Sequence, residues 1–234
     1  MTKILLIGSH HGHELLGDHL FEYIKEQRPE LLSNIDFKIA NPQAKEQGIR
    51  FIESDMNRSY NDNNETFEEQ LASDFLNKVR TSNYDFVMDL HTTTVIGEPA
   101  IITANLDKAM SFINSSSIKK IVKMPTHIAK VSFIGRYPNS VSIEVNEDDA
   151  KNPEILNGIC DDIDRYLDGK KLEHPREYFE VTEYLRGSEL TADELNKIKN
   201  FAEFRGEFYP VLVGEQSYDP EKYLGFKAKR LEIC

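Results

Sequence analysis

The sequence predicts an α/β protein: a mixed, largely parallel sheet covered by helices, with a reduced C-terminal subdomain. Three observations carry this reading. Strand-like apolar runs alternate with segments of helical spacing over residues 1–168. The runs are apolar at almost every position, which suits strands buried on both faces of a parallel sheet. The alternation stops after Asp168-Gly169.

The elements follow in order. Ile4–Ile7 reads as a first buried strand. Its four apolar residues, after one lysine, are too few for a signal-peptide core. Leu15, Leu16, His19, Leu20, Tyr23 and Ile24 then form one helical stripe. Ile35–Ala40 is a second strand, and Asn61–Asn64 a polar loop. Phe67, Leu71, Phe75, Leu76 and Val79 make a second stripe. Strands are expected at Tyr84–Leu90, Ala100–Thr103 and Val141–Val145, and a third helix along Ile155, Ile159, Ile163 and Leu167. Gly169-Lys170-Lys171 and Pro175 look like a linker, which divides the chain into units 1–170 and 171–234. In the second unit, Thr191-Ala-Asp-Glu194 is a capping-box pattern that opens a short helix. Phe208–Val213 reads as a strand, and Lys227-Ala-Lys-Arg230 as a basic surface tail.

The 234 residues suffice for one substantial domain, or one with a small appendage. With 28 basic against 40 acidic residues, the formal charge is -12. That balance argues against nucleic-acid or anionic-membrane binding, which needs clustered Lys and Arg. A small anionic substrate is still compatible, because a local basic pocket outweighs a distant acidic surface. No apolar run reaches the length of a membrane span. Cys160 and Cys234 form neither a disulfide framework nor a thiolate metal spacing, so a reducing cytoplasm is expected.

The chemistry gathers in five short stretches. Gly8 ends the first strand, and Ser-His-His-Gly-His-Glu follows. Gly8, Gly12 and Gly17 do not make the G-x-G-x-x-G spacing of a dinucleotide loop. His11 and Glu14 lie three apart, so at a helix entry they can point the same way and offer ligands that suit Zn²⁺. Alone, they are read more simply as a solvated loop and a charged first turn. A catalytic zinc takes three protein ligands and keeps one position for water, so a third ligand decides. Asp89-Leu90-His91 supplies it at the carboxyl end of a strand, the edge where sites form in open α/β sheets. Asp89 is an outer-shell partner of that ligand or a structural residue. Arg50, Asn57 and Arg58 put two guanidiniums and an amide in one polar loop, suited to a carboxylate or to pairing with Glu53 and Asp55. Glu144 lies inside a strand-like run, costly unless it is paired, at an edge or functional.

Together these stretches resemble the succinylglutamate desuccinylase/aspartoacylase family of zinc amidohydrolases, relatives of the zinc carboxypeptidases. Gly-Ser-His-His11-Gly-His-Glu14 is similar to the family's Gly-Thr-His-Gly-Asn-Glu, with His13 in place of the Asn. Asp89-Leu-His91-Thr-Thr-Thr94 is similar to Asp-Leu-His-x-Thr-Thr, and Asp55-Met-Asn57-Arg58 to Asp-Leu-Asn-Arg. Ile143-Glu144-Val145 resembles the Ile-Glu-Val segment, followed by Asn146 where Gly is usual. Tyr209 to Tyr218 resembles the closing segment. The resemblance implies a zinc carboxypeptidase-like fold and one Zn²⁺ per chain on His11, Glu14 and His91. It implies Glu144 as general base and Arg50 as the group that polarises the scissile carbonyl. Asn57, Arg58 and Tyr218 would bind substrate, and Glu215 would line the pocket. Arg136 lies near the place of another carboxylate-binding arginine, and His10 and His13 have no assigned role.

The implied reaction is amide hydrolysis of an N-acetyl or N-succinyl acidic amino acid such as aspartate or glutamate. Residues 1–170 then form the catalytic domain, and 171–234 a short subdomain that helps shape the pocket. A carboxypeptidase or peptide amidase with the same metal site is the rival enzyme. A non-catalytic metal- or carboxylate-binding protein is the rival from another class. The expected partner is a small N-acyl amino acid, with no nucleic acid and no membrane, and a homo-oligomer is left open.

Overall fold

Strands apolar on both sides need a helical layer on each face. In the computed structural model, which describes residues 2–95, 97–215 and 223–232, nine strands join one sheet. They are β1 (Ile4–Gly8), β2 (Ile35–Ile39), β3 (Phe86–Thr93), β4 (Ala100–Thr103), β5 (Lys120–Lys123), β6 (Ser140–Asn146), β7 (Glu177–Leu185), β8 (Tyr209–Val211) and β9 (Gly225–Leu231). Eight helices accompany them among the described residues: α1 (Leu16–Gln27), α2 (Pro42–Gln47), α3 (Phe67–Thr81), α4 (Leu106–Ser115), α5 (Thr126–Ala129), α6 (Phe133–Arg136), α7 (Pro153–Leu167) and α8 (Ala192–Leu195).

The pleat of β1 sorts its residues between the two faces. Ile4 and Leu6 pack with Leu20 of α1, Phe112 of α4 and Ile159 of α7. Leu5 and Ile7 pack on the other side with Phe75, Leu76 and Val79 of α3 and with Phe133 of α6. A third cluster, with Val122, Phe179, Val211 and Phe226, lies under the later strands.

The strand order is β2-β1-β3-β6-β4-β5-β7-β9-β8. β2, β1, β3 and β6 run parallel. β4 is antiparallel to β6, and β9 is antiparallel to both β7 and β8. The sheet is thus mixed and largely parallel, as the sequence predicts. Because β1, β3 and β6 are parallel neighbours, their carboxyl ends open on one edge, and His91 sits opposite Glu144 in register.

Two stretches differ from the sequence reading. Lys227-Ala-Lys-Arg230 is not a tail but part of β9, between β7 and β8. The region after Glu173 also contains a full nine-residue strand, β7. Its glutamates hide it from a hydropathy reading. Glu177 and Glu180 pair with Lys120 and Lys123 across β5, and Glu183 with Lys227 across β9. Opposite charges facing each other across strands stabilise the sheet where the pattern is not apolar.

Candidate active site and metal centre

The loop after β1 brings two histidines to opposite sides. Ser9 adopts a left-handed φ of 54°, a conformation costly for a residue with a Cβ. Its hydroxyl donates to Asp18 at 3.0 Å, and its carbonyl accepts from the Asn41 N–H at 3.0 Å. His10 then turns into the core and His11 lines the pocket. Gly12 lets this loop lie against α2. A Cβ there would stand 2.1 Å from the backbone carbon of Ala44. Gly12→Ala is therefore expected to destabilise the protein by about 1–3 kcal/mol, read as a fall in Tm by chemical or thermal melting, and to displace His11.

His11, Glu14 and His91 are buried and converge. Nδ1 of His11 lies 2.6 Å from Glu14 Oε1, and Nδ1 of His91 lies 2.8 Å from Glu14 Oε2. The remaining ring nitrogens face two further carboxylates. Nε2 of His11 is 2.9 Å from Asp55 Oδ1, and Nε2 of His91 is 2.9 Å from Asp89 Oδ2. The second is an ion pair between buried side chains. Burial works to lower both histidines, but the facing carboxylates outweigh it and raise them, His91 well above its ordinary value. Burial likewise opposes ionisation of Glu14 and Asp55, and the histidines hold both well below the usual carboxylate range.

The loop from Arg50 to Tyr60 forms the next wall. Glu68, buried on α3, accepts from the backbone N–H groups of Ile52, Glu53 and Ser54 at 2.6, 3.0 and 3.0 Å. Arg50 donates to Asp55 Oδ2 at 2.9 Å and to Glu14 Oε1 at 3.3 Å. Asn57 accepts from the Phe133 N–H at 3.1 Å. Arg58 places its guanidinium over the Tyr223 ring, 5.4 Å from the centroid, with two-fifths of its side chain exposed (41%). Glu144 faces the same pocket from β6. Burial pushes its carboxyl up to about 7, against the His91 charge and helped by Glu14, Asp89 and Glu215. Glu215 accepts from the Thr93 hydroxyl at 2.5 Å and from the Thr94 N–H at 2.9 Å.

Eight sequence-predicted residues thus line one pocket: His11, Glu14, Arg50, Asn57, Arg58, His91, Glu144 and Glu215. Tyr218 lies outside the described residues. Arg136 does not line the pocket; it donates to Asp62 Oδ1 at 3.0 Å. His13 is exposed. Three supports escape a reading by motif. Asp55 backs His11, Glu68 holds the arginine loop, and His10 reaches Asp89. Asp55 opens the Asp-Met-Asn-Arg stretch and is the N-cap of a short turn at Met56–Arg58, but neither local signal points to its contact with His11.

The donor set fits zinc. Two imidazoles and a carboxylate present one ligand atom each within 4.8 Å of one another. Imidazole and carboxylate are zinc ligands, and a carboxylate behind each imidazole is the usual outer support.

A mixed sheet with this pocket on its parallel edge is the zinc carboxypeptidase-like α/β fold. Murine aminoacylase 3 shares it, with a TM-score of 0.74 at 18% identity over 98% of this chain and 95% of that one. So does the succinylglutamate desuccinylase from Chromobacterium violaceum, with a TM-score of 0.74 at 15% identity over 99% and 85%. Residues 1–115 match the model of the succinylglutamate desuccinylase/aspartoacylase catalytic domain. Over these residues the chain is similar to that family, as its motifs imply. A probable aspartoacylase from Trichodesmium erythraeum is 28% identical over 175 residues, 69% of this chain and 53% of the relative. An N-acyl-aromatic-L-amino acid amidohydrolase (carboxylate-forming) from Xenopus laevis is 29% identical over 107 residues, 40% of this chain and 35% of the relative. The chain thus spans about half the length, or less, of the curated relatives it matches.

Proposed function

We propose that the protein hydrolyses the amide bond of an N-acyl amino acid at a zinc site on His11, Glu14 and His91. One observation carries the reading. Three buried metal-ligand residues share a pocket with a carboxyl raised to about 7 and with Arg50, Asn57 and Arg58. The relatives named as aspartoacylase and N-acyl amino acid amidohydrolase support the substrate class.

When bound, Zn²⁺ supplies Lewis acidity that makes water nucleophilic near neutral pH and polarises a carbonyl. Glu144 accepts the proton as water adds to the amide carbon, and returns it to the nitrogen as the C–N bond breaks. A carboxyl that titrates near the working pH is suited to both transfers. Arg50 donates toward the developing oxyanion, and loss of such a donor costs roughly 100- to 1000-fold in rate. Arg58 and Asn57 hold the substrate carboxylate. An acidic product, aspartate or glutamate, carrying acetyl or succinyl, fits this set of groups. The cytoplasm is the proposed location; among the described residues no helix is long and apolar enough to cross a membrane.

Arg58→Ala is expected to raise KM for an N-acyl amino acid about 10- to 100-fold, the value of a hydrogen bond to a charged group. Steady-state kinetics should show a much smaller change with the corresponding amino-acid amide. Substrate class is tested by amine release from N-acetyl- and N-succinyl-aspartate and -glutamate. A cavity of about 690 Å³ adjoins the pocket and shares Thr93, Glu144 and Leu212 with it. That space favours a second reading, a peptide amidase; turnover of a blocked dipeptide with N-acetylaspartate untouched would select it.

A further inference from the structure

We propose that His10 is a positioning residue: it anchors Asp89, and through Asp89 it sets the ring of the metal ligand His91. The inference rests on the zinc site proposed above. It concerns a residue that stands before the ligand His11, where the family's pattern has threonine.

The His10 side chain is fully buried, at 0% exposure. A buried imidazole is costly unless its polar atoms are engaged. Both nitrogens of His10 are engaged. Nδ1 lies 2.6 Å from Asp89 Oδ1, and Nε2 lies 2.5 Å from the Tyr60 hydroxyl. An ionised carboxylate only accepts, so Nδ1 carries the hydrogen and donates to Asp89. Nε2 then accepts from Tyr60 O–H, the one arrangement that satisfies all three groups.

Asp89 comes two residues before His91 on β3 and points to the same side. His10 holds one oxygen of its carboxylate, Oδ1, at 2.6 Å. The other oxygen, Oδ2, faces His91 Nε2 at 2.9 Å as a charge contact. The short hydrogen bond from His10 to Oδ1 fixes the direction of the carboxylate, and so where Oδ2 meets His91. The His10 ring also lies parallel to that of His91, with centroids 5.7 Å apart and planes 9° from parallel. Phe75 and Phe133 close on His10 and hold its rotamer. With Nε2 of His91 turned to Asp89, Nδ1 is the nitrogen presented to Glu14 and the metal. Outer partners of this kind typically contribute about 10- to 100-fold in metal affinity.

Two isosteric variants separate this role from packing. His10→Asn keeps an N–H where Nδ1 meets Asp89, whereas His10→Gln places its amide only where Nε2 meets Tyr60 and leaves Asp89 without that donor. Zinc affinity of the full-length protein, measured by competition with a chromophoric chelator, is expected to fall about 10- to 100-fold in His10→Gln and to stay near wild type in His10→Asn. Asp89→Asn, which removes the charge seen by His91, should match His10→Gln. Equal affinities for the Asn and Gln variants of His10, or wild-type affinity in Asp89→Asn, would overturn the proposal. So would two zinc ions per wild-type chain, because His10, Asp89 and His91 also converge within 4.8 Å and would then be ligands themselves. A wild-type protein that takes up no zinc would instead remove the metal site on which the inference rests.

Discussion

Glu144→Gln is expected to lower kcat by roughly 100- to 10,000-fold, the usual contribution of a general base, with zinc content unchanged. The expectation follows from where the carboxylate sits. Glu144 is in register with His91 on the neighbouring parallel strand, yet it belongs to no ligand group among the described residues. Nothing described donates a hydrogen bond to it, and burial raises it to about 7. Glutamine keeps the shape but cannot take a proton. Metal analysis and steady-state kinetics on the same preparation check both halves. Unchanged turnover would assign the proton transfer to another group. Loss of zinc with turnover would make Glu144 a ligand or a support of one.

Replacing His91 is expected to affect metal content, turnover and stability together. His91→Ala removes one of three ligands and should lower zinc content and turnover together, by at least about 100-fold in rate, since the electrostatic stabilisation of the oxyanion goes with the metal. Stability should fall as well. His91 lies between Glu14 and Asp89, both ionised and buried. Removing one member of such a buried charge group typically costs about 3–5 kcal/mol. A thermal melt of the metal-free variant against metal-free wild type measures that part separately. The exposed His13 is the internal control, and His13→Ala should change neither zinc content nor melting temperature.

The parts legible in the sequence were those whose physics is local. The strands that carry the site are built on apolar runs, and each motif follows such a run or lies within it, so the sequence alone places His11 and Glu14 after β1, His91 on β3 and Glu144 on β6. Parallel neighbours then had to open on the same edge. The supports were not legible, because they act across long separations. Asp55 meets His11 from 44 residues away, and His10 meets Asp89 from 79 away. Glu68 lies on α3 outside its apolar stripe and looks like a surface charge, although it is buried on three backbone N–H groups. β7 and β9 were hidden for a related reason, since their lysines and glutamates are neutralised only by strands far off in the chain. Arg136, whose role the sequence leaves open, is turned by the fold to Asp62.

The central claim is a zinc-dependent amide hydrolysis at His11, Glu14 and His91. It is tested most directly by following amine release from an N-acyl amino acid while zinc is titrated into chelator-stripped protein. Turnover should be absent in the stripped protein and rise with added zinc to a plateau at one equivalent per chain. Full turnover in the stripped protein, or none at any zinc level with each acetyl and succinyl substrate, would contradict it.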